Sequence, residues 1–321
     1  MTRPAWRSYL RAAFTLGVVV GLVAYVWARR GDLQAALRIT PLDLALLAGL
    51  IVLTWVLSSL PMLVFARLLR FRIGFWENLA ALIASNLANY LPLRAGTVIK
   101  MRFFKHVHGM DYTAFVGVTG LKLVVLVAFT GVAGVAGILL TSLGRGPVPW
   151  AVVMLCAAMA VAGVMLLVVP LPRAVASSGA FGRALARLAA VHAVLRSRPA
   201  AFWALTLLTL AQFVVLAARL AVSFRIVGVE VPIGALLLVG PFTTLISFVN
   251  LTPGNLGVRE WVIGGLSELT DVGFQTGVFS GTLDRSLLMA MTFLVGPVCL
   301  FVVMRRTARA TSAATADHRS G

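Results

Sequence analysis

Acid is what this sequence has least of. Asp and Glu together number 10 in 321 residues, against 28 Lys and Arg, for a net charge of +18. General acid/base dyads and carboxylate metal cages need acids close together. Here they are scattered, with Glu260 and Asp284 the only plausible pair. Cysteine is nearly absent too: Cys156 and Cys299 sit inside apolar runs, without metal-ligand spacing or a disulfide framework, and read as packing residues. The four histidines lie in basic loops or the tail, and His106-Val107-His108 is too sparse for a metal site without nearby carboxylates or thiolates. No metal and no cofactor is expected. Long polar stretches are missing as well, which leaves no room between the apolar runs for a separate catalytic domain.

What remains is apolar. Hydrophobic residues make up 60% and charged residues 12%, against about 45–50% and about 25% in soluble domains; mean hydropathy is +0.98. These values exclude a soluble enzyme and predict an all-α, polytopic integral membrane protein. Six full spans are expected: Ala12–Ala28, Pro41–Ala66, Tyr112–Ser142, Pro149–Leu171, Pro199–Val227 and Gly277–Met304. The first follows Arg3, Arg7 and Arg11 like a signal peptide, but no small-x-small cleavage site follows, so it reads as a retained span. Gly17/Gly21 and Gly131/Gly134/Gly137 mark expected close helix contacts. Residues 1–304 read as a single transmembrane domain, with repeat halves near 41–142 and 199–304, and 305–321 as a disordered basic cytoplasmic tail.

Two apolar stretches do not fit simple spans. Trp76–Leu93 runs at once into the polar Arg94–His108, and Ile233–Leu251 meets a Pro/Gly break and an amphipathic piece, Gly257–Leu269. Each reads either as a broken re-entrant hairpin or as an ordinary short span with an interfacial tail, so the count lies between six and eight.

The basic residues orient the chain. With both termini cytoplasmic and both hairpins returning to their own side, 19 of the 28 fall inside and 6 outside, while Lys122, Arg219 and Arg285 fall within spans. That asymmetry satisfies the positive-inside rule and points to the plasma (cytoplasmic) membrane. It also assigns the charge excess to anionic lipid head groups rather than to nucleic acid. Arg173–Arg198 fits a basic amphipathic helix or a solvated loop.

The two broken stretches resemble each other. Asn89-Tyr90-Leu91-Pro92-Leu93-Arg94-Ala95-Gly96 stands against Asn250-Leu251-Thr252-Pro253-Gly254-Asn255-Leu256-Gly257, each with Asn before Pro and Gly four residues after it. Downstream, Thr119-Gly120-Leu121-Lys122 faces Thr282-Leu283-Asp284-Arg285. Three spans separate the copies, so they enter from opposite faces, as in transporters built on inverted repeats.

At these residues the sequence resembles the flippase-like transmembrane domain of lysylphosphatidylglycerol synthases. The second half is the better match, through Thr252-Pro253-Gly254-Asn255-Leu256-Gly257-Val258-Arg259-Glu260 and Asp284-Arg285; the first matches through Leu91–Gly96 and Lys100. Thr97 stands where relatives often carry Glu. The resemblance implies lipid translocation. The soluble aminoacyl-transferase domain of full synthases is not expected in the short stretch after Met304, so lipid aminoacylation is not either.

Intramembrane charges are expensive, which makes them functional candidates. Lys122 lies about 15 Å inside its span and Arg285 about 12 Å inside its own, at about 1.5 Å per residue. Together with Arg94, Lys100 and Arg259 near the breaks they form the candidate lipid-phosphate set. Helix N-termini after Pro92 and Pro253 would add backbone donors, and Gly96, Gly254 and Gly257 permit turns that a side chain blocks. The hairpin and gating candidates are Asn89, Pro92, Gly96, Asn250, Pro253, Gly254, Asn255, Gly257, Glu260 and Asp284. Plainer readings stand beside these: Lys122 and Arg285 snorkelling to the interface, Asp284 neutralising a neighbour, and Arg259-Glu260 forming a local ion pair. At the level of function the leading expectation is a flippase of an anionic or polyprenyl-phosphate-linked lipid that performs no covalent chemistry. The alternatives are a membrane-embedded head-group transferase and a membrane partner of a separately encoded lipid-modifying enzyme. The lipid moved, the energy source and the oligomeric state are not written in the sequence.

Overall fold

The computed structural model describes residues 20–21, 23–28, 31, 39–90, 95–142, 149–169, 193, 197–249 and 252–320. The helices bounded within the described residues are α1 (Pro41–Leu68), α2 (Phe75–Ala88), α3 (Ala95–His108), α4 (Tyr112–Ser142), α5 (Trp150–Val168), α6 (Pro199–Ile226), α7 (Ile233–Val249), α8 (Val258–Glu268) and α9 (Phe274–Ser320), with a 3-10 turn, Pro253–Asn255, before α8. Five of them, α1, α4, α5, α6 and α9, are long and apolar enough to cross a membrane. Their bounds follow the apolar runs closely, because in lipid the backbone must satisfy its own hydrogen bonds and a helix does so within one segment. The span expected at Ala12–Ala28 lies largely outside the described residues, as does most of Arg173–Arg198.

The broken stretches are pairs of short helices, each packed on its partner: α2 on α3 and α7 on α8. A 14-residue helix such as α2 or α3 reaches only about 21 Å, short of the ~30 Å hydrocarbon core. The order long, short, short, long therefore occurs twice, in α1–α4 and α6–α9. The opening helices match at 28 residues each, and the links 69–74 and 227–232 have the same length.

The chain forms two compact units. Unit 1 comprises Met1–Ile51, Thr130–Ala158 and Val215–Met289; unit 2 comprises Val52–Phe129, Met159–Val214 and Ala290–Gly321. Neither coincides with a repeat half, since each draws on 41–142 and on 199–304. Leu216, Leu220 and Phe224 of α6, one helical face, pack on Leu236 and Val239 of α7 and Ile263 of α8 in unit 1. In the same unit α4 and α7 approach so closely that a Cβ at Gly137 would lie 2.6 Å from the Gly234 carbonyl oxygen. Gly134 is likewise tight against Cys156. Gly21, by contrast, faces open space, and Gly17 lies outside the described residues.

Unit 2 is built around Phe65, Phe103, Phe104, Phe115 and Leu121. Pro61 inside α1 has no N–H to give, which frees the Leu57 carbonyl. Gln212 of α6 donates to that oxygen at 3.2 Å. Asn78 of α2, fully buried, donates to the Ser59 carbonyl at 2.6 Å and ties the first hairpin to α1.

The tail departs from expectation. Rather than ending at Met304, α9 continues through Ser320. No Gly or Pro interrupts 305–320, Ala and Arg favour helix there, and Thr307, Thr311 and Ser312 return their hydroxyls to carbonyls one turn back. Exposed tryptophans stand near helix ends in each unit, Trp150 in unit 1 and Trp76 and Trp203 in unit 2. Amphipathic rings favour such positions at membrane interfaces.

Candidate functional site

Unit 1 holds a buried ionic cluster. On α9, Gly277, Gly281 and Asp284 share a face with Ser280, and the missing side chains let α8 come close. A Cβ at Gly281 would lie 2.9 Å from Ile263 Cδ1 and 3.6 Å from Glu260 Cα. That approach brings Arg259 beside Asp284, donating from Nη2 to Oδ2 at 2.8 Å. From α6, Arg219 donates Nε and Nη2 to Oδ1 at 3.1 and 2.8 Å, and Nη2 to Oδ2 at 3.0 Å. Asp284 is 0% exposed, and both arginines are buried. One carboxylate thus joins three helices.

Two sequence readings change here. Arg259 does not pair with its neighbour Glu260, and Asp284 does not neutralise Arg285. The reason is direction: adjacent residues on a helix point about 100° apart, whereas Arg219 and Asp284 face each other across packed helices. Glu260 is buried, and neither carboxylate oxygen has a hydrogen-bond partner among the described residues. Arg285 instead donates Nη2 to the carbonyl of Gly254, in the second break.

That break has defined geometry. Gly254, Asn255 and Gly257 all have positive φ, at 61°, 56° and 81°. Asn255 donates Nδ2 to the Ile246 and Ser247 carbonyls at 3.3 and 3.1 Å, covering the end of α7. Thr252 Oγ1 donates to Leu256 O at 2.8 Å. Gly257, with ψ at −49°, lies where a Cβ is poorly tolerated. Gly257→Val is therefore expected to cost about 1–3 kcal/mol or more, lowering the unfolding midpoint measured in detergent. Wild-type stability in that variant would mean the turn relaxes freely.

In unit 2 the first break is partly described. Asn89 ends α2, its N–H bonded to Ser85 O at 3.0 Å. Gly96 packs so tightly on this corner that a Cβ would collide with the Ser85 carbonyl oxygen and lie 2.8 Å from Asn89 Cγ. Pro92 and Arg94, like Asn250 in the other copy, lie outside the described residues.

Lys100 and Lys122 are both half-buried and near enough for their charges to repel. Lys100 Nζ lies 5.8 Å from the Phe104 ring centroid. Neither lysine has an acid partner among the described residues, in contrast to Arg219 and Arg259. The one acid of the hairpin, Glu77, is engaged by Arg306 and lies 3.4 Å from His108 Nε2.

The sequence reading missed Arg219 as a site residue. The signal was there, an arginine inside an apolar span, and it is the one that marked Lys122 and Arg285.

The structure brings Arg259, Asp284, Glu260, Arg285 and Gly254 together in unit 1, and Lys100 and Lys122 together in unit 2. The first group is largely self-neutralised; the second is a pair of cations with no acid partner among the described residues.

No curated protein matches the chain. A family model described as the lysylphosphatidylglycerol synthase TM region matches residues 14–296. With that match over most of its length, this integral membrane chain belongs to the lysylphosphatidylglycerol synthase transmembrane-region family.

Proposed function

We propose that the protein translocates an anionic phospholipid or polyprenyl-phosphate-linked lipid between leaflets, without covalent chemistry. The observation that carries this reading is the pair Lys100 and Lys122, half-buried together with no acid among the described residues to balance them. Two such ammonium groups repel unless an anion joins them, and a lipid phosphate supplies the charge and the acceptor oxygens. The cations of unit 1 hold the fold of the second hairpin: Arg219 and Arg259 are spent on Asp284, and Arg285 on the Gly254 carbonyl.

The transferase alternative needs a positioned base or nucleophile. Asp284 is held by two guanidinium groups and Glu260 has no hydrogen-bond partner among the described residues, so neither is paired there with a nucleophile. This favours transport over head-group modification.

The test is reconstitution. Liposomes containing the protein and a fluorescent anionic phospholipid are expected to expose more label to a membrane-impermeant reductant than protein-free liposomes do. Equal exposure across anionic lipids, or a new lipid species formed with an activated donor, would overturn the reading.

Placement in the plasma membrane with cytoplasmic termini belongs to the same proposal. The described segments read as cytoplasmic, 67–72, 95–105 and 305–320, fall in unit 2, and Arg225 and Arg259, read as outer, fall in unit 1. In a background with Cys156 and Cys299 replaced by Ala, His106→Cys is expected to label from the cytoplasmic side and Glu230→Cys from outside. Labelling of both from one side would break the inverted-repeat topology.

A further inference from the structure

The link 69–74 between α1 and α2 borders an open cavity of about 360 Å³, lined by Leu63, Ala66, Arg67, Phe71, Arg72, Ile73 and Gly74. We propose that this cavity docks the phosphate-bearing head group of an anionic phospholipid drawn from the adjoining leaflet, at a position distinct from Lys100 and Lys122. Its role as a loading position rests on the translocation reading; its capacity to bind does not.

Four features support it. The lining is amphiphilic: Leu63 and Ala66 are buried and Phe71 and Ile73 half-buried, while Arg67 and Arg72 are exposed. Neither guanidinium has an acid partner among the described residues, and Glu77, just beyond, is occupied by Arg306. Guanidinium groups bind phosphate through two parallel hydrogen bonds, which an ammonium cannot do. The frame is fixed, because Arg67 sits on the last turn of α1 and the Arg72 carbonyl lies 2.9 Å from His108 Nδ1.

Depth and size agree with this assignment. Trp76, two residues past Gly74, is 77% exposed, the position of an indole at head-group level. The volume falls within the range of small-ligand sites, about 300–1,000 Å³. A free phosphate would satisfy the arginines but leave the apolar wall in water, whereas a phospholipid covers both.

The test places a photoreactive benzophenone amino acid at Phe71 of the full chain, in liposomes of phosphatidylcholine with a minor fraction of phosphatidylglycerol. Adducts are identified by mass spectrometry. Phosphatidylglycerol is expected among the adducts several-fold above its mole fraction. Arg67→Gln/Arg72→Gln should reduce that enrichment roughly tenfold or to the mole fraction, one decade being the scale of a lost charge-assisted hydrogen bond. Both side chains are exposed, so the double variant should elute like wild type.

Adducts that follow mole fraction in the wild type, or enrichment unchanged by the double variant, would overturn the proposal. So would full competition by millimolar inorganic phosphate, which would make this a site for the free anion. Enrichment without lipid flipping by the wild type would retain the docking site and remove the translocation reading, while flipping without enrichment would do the reverse.

Discussion

Asp284→Asn is expected to leave the protein barely folded. The carboxylate bonds both Arg219 and Arg259, and all three groups are buried. Removing the charge takes the buried counter-ion from two guanidinium groups in a medium that solvates them poorly. Breaking one partner of a buried ion pair costs about 3–5 kcal/mol, a large share of a typical total of about 5–15 kcal/mol. The yield of monodisperse protein and the unfolding midpoint in detergent report the loss. Replacing all three groups together (Arg219→Met, Arg259→Met, Asp284→Leu) should recover much of it, because a well-packed apolar set avoids the desolvation cost. Rescue of Asp284→Asn by Arg285→Met would not follow from this geometry, since Arg285 bonds Gly254 instead. An Asp284→Asn protein as stable as wild type would show that the cluster contributes nothing to the fold.

The opposite pattern is expected at Lys122 and Lys100. Lys122→Met should fold at least as well as wild type, because it removes a repulsion and breaks no ion pair among the described residues. Lipid handling should suffer. Loss of one charge-assisted hydrogen bond of about 1.5–3 kcal/mol lowers affinity for a lipid phosphate about ten- to a hundredfold, read as the flipping rate against lipid fraction in liposomes. Lys122→Arg should keep much of the rate, since the charge survives. Lys100→Met should act in the same direction, and the double variant should not be additive, because both amines serve one phosphate. A stable Lys122→Met protein that flips lipid at the wild-type rate would remove this residue from the site.

The contrast between these two experiments reflects what the residues themselves could disclose. Apolar length shows directly in a chain that must satisfy its backbone inside lipid, so Tyr112–Ser142 is a helix over its whole expected extent and Pro199–Val227 falls short by one residue. The breaks were legible for a similar reason, because Pro253, Gly254 and Gly257 leave the backbone no regular helix to continue. Charge pairing was not. Arg219 meets Asp284 from 65 residues away, and the choice among Arg219, Arg259 and Arg285 depends on helix rotation and on how far Gly277 and Gly281 let α8 approach. Nothing local in 259–260 or 284–285 indicates that adjacent opposite charges will turn away from each other. The helical tail was missed because its polar, Arg-rich composition suggested solvation, whereas its continuity with α9 spares it the cost of nucleating a new helix.

Ionic strength should separate the two ways in which this protein uses its few acids. Around exposed charges at physiological salt the Debye length is about 8 Å, and it shrinks to about 3 Å at 1 M. Glu77 and Arg306, with side chains 29% and 49% exposed, lie within reach of those ions, and Asp284 does not. High salt during extraction should therefore loosen the clasp between the first hairpin and the far part of α9 while leaving the Arg219–Asp284–Arg259 knot intact. Hydrogen exchange of residues 75–80 and 300–310 should then rise with salt, and that of 258–264 should stay flat. Glu77 and Asp284 thus behave as a screened fastener and an unscreened one.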